Sequence, residues 1–253
     1  MTAEQLRARK MKTGGKRLSA LTAYDYPTAR LLDEAGVDLL LVGDSLGMVV
    51  LGYPDTTHVT LARILHHTEA VARGVKSSHI IGDLPINTYN TPEDALKNAQ
   101  TLVAAGAHSV KLEGGVRQAD KVKAITNAGI PVVGHLGMLP QRVKEEGGYK
   151  KKGKSDSEVE ALIEGALALQ DAGCFAIVLE SVIPEVATKL TETLDIPTIG
   201  IGCGGTTCDG EIAVITDVVG SYPWFVPPFA TQRAEVAQEI SRATREYLDS
   251  LNP

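Results

Sequence analysis

The chain has little cysteine, no long apolar run and no excess of positive charge. Three cysteines, Cys174, Cys203 and Cys208, are an odd number in 253 residues. That argues against a disulfide-stapled fold and for a reduced, cytosolic setting. Cys203 and Cys208 lack a second pair at zinc-like spacing, so a structural zinc site is not expected. No segment approaches the ~18 consecutive apolar residues of a membrane span. The first ten residues, Glu4 among them, contain no apolar signal core, so no membrane partner is expected. The formal net charge is −6, and the basic run Lys150-Lys-Lys-Gly-Lys154 reads as a solvated loop. Nucleic acid is therefore not an expected partner.

What is present is an ordinary globular composition, 43% hydrophobic and 22% charged. The length is close to the ~250 residues of a single (β/α)8 barrel. The stretch Asp38-Leu-Leu-Leu-Val-Gly-Asp-Ser-Leu-Gly47 shows how the chain is built. Leu39 to Gly43 is too short and too apolar for a surface helix and reads as a strand buried on both faces. It runs straight into Asp44 and Ser45. A carboxylate at the end of a buried strand is costly unless something pairs with it, and a metal ion is one such partner.

The same arrangement recurs. Strands are expected over 17–24, 39–43, 79–83, 109–113, 131–135, 175–180, 196–201 and 211–215. Helices are expected between them, at about 27–35, 60–73, 92–105, 118–128, 156–172 and 184–194. Thr91-Pro-Glu-Asp94 supplies an N-cap followed by proline at the first helical position, and Ser155-x-x-Glu158 reads as a capping box. Ala-Gly recurs at 35, 105, 128 and 172, each time a few residues before a strand. The Gly- and Lys-rich stretch 137–154 is long enough to be either a disordered loop or a functional lid. Alternating strands and helices imply a parallel sheet with right-handed crossovers, and about eight units favour a closed barrel over an open doubly wound sheet. The expected organisation is one domain over 1–253, with a helix and Gly-Gly loop at 1–16 and a long amphipathic helix at 231–251.

In such a barrel the C-terminal ends of the strands converge on one site. Here they supply Asp44, Asp83, Lys111, Glu113, His135 and Glu180, with no polar group of comparable weight before the strands. Lys111 and Glu113 are two apart on one strand and point to the same side. Carboxylates crowded into one cleft either take up a proton or gather a cation. Oxygen ligands favour Mg²⁺, which keeps waters and leaves room for a bidentate 2-oxo acid. The metal then serves as a Lewis acid for an enolate. Lys111 can stabilise the same charge, and Glu180 is placed to act as the base beside the carbonyl.

Gly43-Asp-Ser-Leu-Gly-Met48, Asp83-Leu-Pro85, Lys111-Leu-Glu-Gly-Gly115, Gly134-His-Leu-Gly137 with Pro140-Gln141, Leu179-Glu180 and Ile199-Gly-Ile-Gly202 occur in this order. With them the chain resembles the ketopantoate hydroxymethyltransferase family from about residue 17 to 226. The resemblance implies a (β/α)8 barrel of the phosphoenolpyruvate mutase/isocitrate lyase type. It also implies transfer of a one-carbon unit from 5,10-methylenetetrahydrofolate to 2-oxoisovalerate, giving ketopantoate for pantothenate and coenzyme A. By the same resemblance Asp44, Asp83 and Glu113 form the Mg²⁺ site, with Glu113 acting through water. Asp44, Ser45, Asp83, Lys111 and His135 contact the oxo acid, and Glu180 is the general base. A ring-shaped homodecamer, with the C-terminal helix on a neighbour, is implied too.

The sequence departs from the family pattern at Gly202-Cys-Gly-Gly-Thr-Thr207, at Ile86-Asn87 and at Thr216, where histidine is usual. A rival reading is a Mg²⁺-dependent lyase or mutase of the same barrel type that needs no folate. The absence of a Lys-Lys-Cys-Gly-His stretch counts against its isocitrate lyase branch. A catalytically silent barrel would have lost the base or the metal ligands, and all are present. Gly200-x-Gly-x-Gly-Gly205 is a weak phosphate-cradle signal, since no helix follows it at once.

Overall fold

The computed structural model describes residues 1–10 and 16–251. The Gly14-Gly15 part of the expected N-terminal loop lies outside them. The chain divides into two compact units, Met1–Ile212 and Ala213–Pro253.

The first unit opens with α1 (Ala3–Arg7) and β1 (Leu18–Thr22), then α2 (Tyr26–Glu34) and β2 (Leu39–Val42). A short α3 (Leu46–Val49) and then α4 (Leu61–Gly74) lead to β3 (His79–Asp83). There follow α5 (Pro92–Ala104), β4 (Ser109–Glu113), α6 (Ala119–Asn127) and β5 (Val132–Gly137). The unit finishes with α7 (Asp156–Asp171), β6 (Ala176–Glu180), α8 (Pro184–Thr193), β7 (Thr198–Ile201) and the start of β8 (Gly210–Ala213). The strands close in sequence order into a barrel, β1 through β8, with parallel pairing. The open-sheet alternative is thereby excluded.

Helix starts follow local chemistry. Thr91 Oγ1 accepts from the Asp94 amide at 3.1 Å, with Pro92 at the first helical position of α5. At α7 the expected capping box is only half formed. Ser155 Oγ accepts from the Glu158 amide, while the Glu158 carboxylate turns to the amides of Gly153 and Lys154, at 3.0 and 2.8 Å. The carboxylate thus ties down the end of the preceding loop.

Strand alternation sorts the barrel interior into layers. Ala20, Leu41, Ile81, Val133, Val178 and Ile199 belong to one buried apolar cluster at mid-height. Above it β3, β5 and β6 carry Asp83, His135 and Glu180, and β4 carries Lys111 and Glu113, all buried or nearly so. Below it the expectation of weak polarity fails. Asp38, His79, Ser109 and Asp209 are all buried at the N-terminal ends. Each is partnered there: Asp38 by Arg9 and Ser19, Asp209 by Lys10 and Thr198, His79 by Ser109. A reading of the sequence that weighs only the residues after each strand passes over them.

The second unit contains α9 (Ile215–Val219) and α10 (Val236–Leu251). The final helix begins at Val236, not at about Thr231. Residues just before it are held otherwise, the Arg233 amide donating to Val218 O at 2.7 Å and Gln232 Nε2 to Ala234 O at 2.8 Å. No residue of α10 is buried. Its apolar stripe, with Ile240, Tyr247 and Leu251 each more than half exposed, faces solvent.

Candidate active site

The barrel's register puts the functional side chains beside one another. Asp83 pairs with Lys111 across β3 and β4, and Glu113 with His135 across β4 and β5. Side-chain contacts follow the ladder. Lys111 Nζ lies 2.7 Å from Asp83 Oδ1 and 3.7 Å from Glu113 Oε1. His135 Nδ1 is 3.4 Å from Glu113 Oε1, and its Nε2 is 3.3 Å from Glu180 Oε2. The Asp44 amide donates to Asp83 Oδ2 at 3.1 Å, which joins the end of β2 to the group. All six ionisable residues expected from the sequence therefore meet at one mouth. Ser45 stands at its edge, with its hydroxyl 2.9 Å from that of Tyr24.

The backbone beneath is shaped for this. Gly137 closes β5 at φ +96°, and a Cβ there would stand 2.2 Å from Glu180 O. That leaves the Met138 amide free to donate to the same carbonyl at 2.8 Å. Immediately after Glu180, Ser181 adopts a left-handed conformation at φ 51°. Its carbonyl accepts from the Lys152 amide at 2.9 Å, which pins the end of the 137–154 loop beside the base candidate.

The electrostatics are unbalanced. Asp44, Asp83, Lys111, Glu113 and His135 are almost fully buried, while the Glu180 side chain keeps 16% exposure. Two cations, Lys111 and His135, face four carboxylates. Burial, then repulsion from Asp83 and Glu113, pushes Asp44 well above the usual carboxylate range. Asp83 is raised as well, by burial that Lys111 only partly offsets. Glu113 goes the other way, because His135 and Lys111 outweigh its burial. Burial favours the neutral imidazole of His135, yet Glu113 and Glu180 lift it to about 9, so it is an imidazolium at neutral pH. Asp83, Glu113 and Asp44 likewise raise Lys111 against its burial.

Among the described residues, no group of three or more His, Cys, Asp or Glu side chains is arranged to hold a metal ion unaided. Mg²⁺ does not require such a group, since it is usually bound through one or two carboxylates plus water and substrate. The charge count fits it. With all four carboxylates ionised, the site is two positive charges short of neutrality.

Similarity to known proteins bears on what this mouth is for. The ketopantoate hydroxymethyltransferase family model matches residues 1–252. The chain belongs to that family. Its relatives include the 3-methyl-2-oxobutanoate hydroxymethyltransferases of Pyrobaculum arsenaticum and Ignicoccus hospitalis. These are 52% and 51% identical, each match covering 94% of this chain and 90% of the relative. That of Acetivibrio thermocellus is 50% identical over 95% of this chain and 85% of its own length. Among solved structures, phosphonopyruvate hydrolase in complex with oxalate and Mg²⁺ matches with a TM-score of 0.65 at 16% identity. The match covers 99% of this chain and 87% of that one. 2,3-Dimethylmalate lyase, a PEP mutase/isocitrate lyase superfamily member, matches at 0.61 and 18%, covering 98% and 87%. These two show a shared fold.

Within this ketopantoate hydroxymethyltransferase family member, Tyr24 and Tyr89 are site residues with no sequence signal of their own, and Gln141 shows in the sequence only as part of a motif. Gln141, in a short 3₁₀ turn (Pro140–Arg142), is buried and reaches into the mouth. Its Nε2 donates to Asp44 Oδ2 at 2.9 Å and to Leu84 O at 3.1 Å, and its amide donates to Glu113 Oε2 at 3.2 Å. Tyr89 donates its hydroxyl to Gln141 Oε1 at 2.5 Å. Tyr24 holds Ser45. The Pro140-Gln141 pair was visible as a motif, but only the fold shows that the 137–154 stretch covers the site.

Proposed function

We propose that the chain transfers a hydroxymethyl group to 3-methyl-2-oxobutanoate (2-oxoisovalerate) and so produces ketopantoate for pantothenate synthesis. 5,10-Methylenetetrahydrofolate is the one-carbon donor. The observation that carries this reading is the charge deficit at the mouth. Four carboxylates against two cations, in a family whose curated relatives act on this oxo acid, make a site that a divalent cation completes.

Asp44 and Asp83 would hold Mg²⁺ directly, and Glu113 through water. When bound, the ion supplies a Lewis acid that holds charge developing on the substrate's keto oxygen. The chain's own groups do the rest. Lys111, fixed between Asp83 and Glu113, presents a permanent positive charge toward the oxo acid. Ser45, oriented by Tyr24, offers a hydroxyl to the same substrate. His135 bridges Glu113 and Glu180 and orients the latter. Glu180, the most exposed of the carboxylates bonded into this network, takes the proton from the carbon next to the keto group. The 137–154 loop, tied in through Gln141, excludes water from the pocket.

The partners of this reading are small molecules, and no helix among the described residues is long and apolar enough to cross a membrane. The exposed apolar stripe of α10, with Trp224 80% and Phe225 58% exposed in the same unit, supports a homo-oligomer in which a second copy covers it.

The test is deuterium exchange at C3 of 2-oxoisovalerate. Exchange is expected with Mg²⁺, and Glu180→Gln is expected to abolish it while Mg²⁺ still raises the melting temperature. Adding methylenetetrahydrofolate should yield ketopantoate. Exchange that survives Glu180→Gln would remove the base from this residue, and exchange without product would remove the folate-dependent transfer.

A further inference from the structure

The Asp44 carboxylate is held by a neutral group from a distant part of the chain. Gln141 Nε2 donates to Asp44 Oδ2 at 2.9 Å and to Leu84 O at 3.1 Å, which occupies both amide hydrogens. Its Oε1 accepts from the Tyr89 hydroxyl at 2.5 Å. The main-chain amide of the same residue donates to Glu113 Oε2 at 3.2 Å. One residue therefore touches two of the three carboxylates proposed for Mg²⁺, one through its side chain and one through its backbone. Gln141 is 3% exposed, so bulk water does not compete for these bonds.

The kind of donor matters. Lys111 already pairs with Asp83 and Glu113. A second ammonium or a guanidinium against Asp44 would cancel its charge and repel a divalent ion. An amide N–H fixes one oxygen of the carboxylate, and with it the plane of the group, without cancelling the charge. Partners of that kind behind a metal ligand set its orientation. An amide also has a wrong end. Leu84 O can only accept, and so can an ionised Asp44, so Nε2 must face them and Oε1 must face Tyr89. The Tyr89 hydroxyl supplies the donor that completes this orientation.

Tyr89 is delivered by the turn that follows β3. Asn87 adopts a left-handed conformation there, at φ 67°, which asparagine tolerates better than most residues. The amide and hydroxyl of Thr88 both donate to Pro85 O, at 3.2 and 2.7 Å. Asn98 Nδ2, from α5, donates to Thr88 O at 2.6 Å. The Ile86-Asn87 pair, where the sequence departs from the family pattern, thus lies in the turn that brings Tyr89 to the 137–154 loop.

We infer that Gln141, oriented by Tyr89, is a positioning residue for the cation: it holds Asp44 Oδ2, presents the carboxylate in one orientation, and makes cation affinity depend on the 137–154 loop being in place. This rests on the Mg²⁺ reading of the mouth and adds the residues that prepare one of its ligands.

Mg²⁺ binding measured by calorimetry, without substrate, tests this independently of turnover. Gln141→Met keeps the side-chain length and the main-chain bond to Glu113 but removes the amide. It should weaken Mg²⁺ binding by about 10–100-fold. In transfer assays the Mg²⁺ requirement should rise by a similar factor, while saturating Mg²⁺ restores most of kcat. Tyr89→Phe deletes one hydroxyl and keeps the ring, and should weaken Mg²⁺ binding by about fivefold, the scale of one neutral hydrogen bond. Added to Gln141→Met it should have no further effect, because Tyr89 acts through the amide. A merely structural role would lower the folded fraction and leave the Mg²⁺ affinity of the folded protein alone. Unchanged affinity in Gln141→Met and Tyr89→Phe would overturn the proposal, as would fully additive losses in the double variant. Absence of Mg²⁺ binding by the unaltered chain would instead remove the reading on which it rests.

Discussion

The two ends of the barrel bury the same kinds of side chain and treat them in opposite ways. At the N-terminal end Asp38 would be raised by burial alone. The amide and hydroxyl of Ser19 and the guanidinium of Arg9, at 2.9, 2.8 and 2.5 Å, hold it below the usual carboxylate range. At the C-terminal end Asp44, as little exposed, is pushed up by burial and then by Asp83 and Glu113, which outweigh Lys111 and Gln141. One end has a donor for each carboxylate. The other has more carboxylates than donors and cations can satisfy. A matched buried charge contributes to one stable structure, whereas a mismatched one is held for something that arrives later. The fold therefore states its function in its imbalance, and disturbing one end shows whether the other responds.

The largest effect is expected at the mouth. Lys111→Met removes the cation lodged between Asp83 and Glu113 at 2.7 and 3.7 Å. Loss of such a preorganised charge costs about 10²–10³ in kcat, and transfer assays should show it with Mg²⁺ saturating. Glu180→Gln should cost more, since it removes the proposed proton acceptor. Glu180→Gln, at a partly exposed side chain, should leave the folded fraction in urea close to that of the parent, whereas Lys111→Met leaves Asp83 and Glu113 buried without their shared cation, so its activity is to be compared per folded molecule. Loss of activity that merely tracks loss of folded protein would contradict the division of labour between the two ends.

That division also explains what could be read from the sequence. β3 and β4 were legible to the residue, as His79–Asp83 and Ser109–Glu113, because each is a short run bounded by turn residues and ended by a charge. The same feature exposed Asp44, Asp83, Lys111, Glu113, His135 and Glu180 as a group, since in a parallel barrel every strand end points the same way. The floor was not legible. Asp38 and Asp209 are identified as structural by Arg9, Lys10, Ser19 and Thr198, and each of these lies more than ten residues along the chain from the carboxylate it serves. The role of Gln141 escaped for the same reason, because Asp44 and Leu84 lie 97 and 57 residues away along the chain. Periodicity reports which face of an element is buried. It does not report which polar group waits on the other side.

At the floor, Asp209→Ala should come next in size. Asp209 is 1% exposed, and its Oδ2 accepts from Lys10 Nζ and the Thr198 amide, each at 2.8 Å. Removing one partner of a buried pair costs about 3–5 kcal/mol, because the other charge is left uncompensated. Urea unfolding should show that loss, with activity per folded molecule unchanged.

A smaller effect is expected at His79, also on the floor. Its Nδ1 lies 3.1 Å from Met1 O and must donate, so its Nε2, 2.9 Å from Ser109 Oγ, accepts. That is the neutral tautomer, and burial pushes the group down to about 4. The unfolded chain binds this proton near pH 6.5, so it takes up more protons than the native state between pH 6.5 and 4. Stability from this group is complete above pH 6.5 and is lost as the pH falls to 4, by at most about 3 kcal/mol. His79→Gln should flatten that part of the stability–pH curve. An unchanged slope would mean that the imidazole is already solvated.

The smallest effect on stability has the most revealing sign. Asp44→Asn keeps an oxygen for the 2.9 Å bond from Gln141 Nε2 and removes one charge from a crowded set. Asp44 is raised in the folded state by burial and by Asp83 and Glu113, so the native chain holds this proton more tightly than the unfolded one. The group's contribution to stability is therefore full at low pH and is lost as the pH rises through its folded value. Without Mg²⁺ at neutral pH, the substitution should stabilise the protein by about 1–2 kcal/mol, the scale of one relieved close repulsion. It should also abolish transfer, and the melting temperature should no longer respond to Mg²⁺. An inactive variant more stable than its parent is the outcome expected where a site keeps carboxylates for a cation the chain itself does not supply. A destabilised Asp44→Asn protein would mean that the mouth, like the floor, is already balanced.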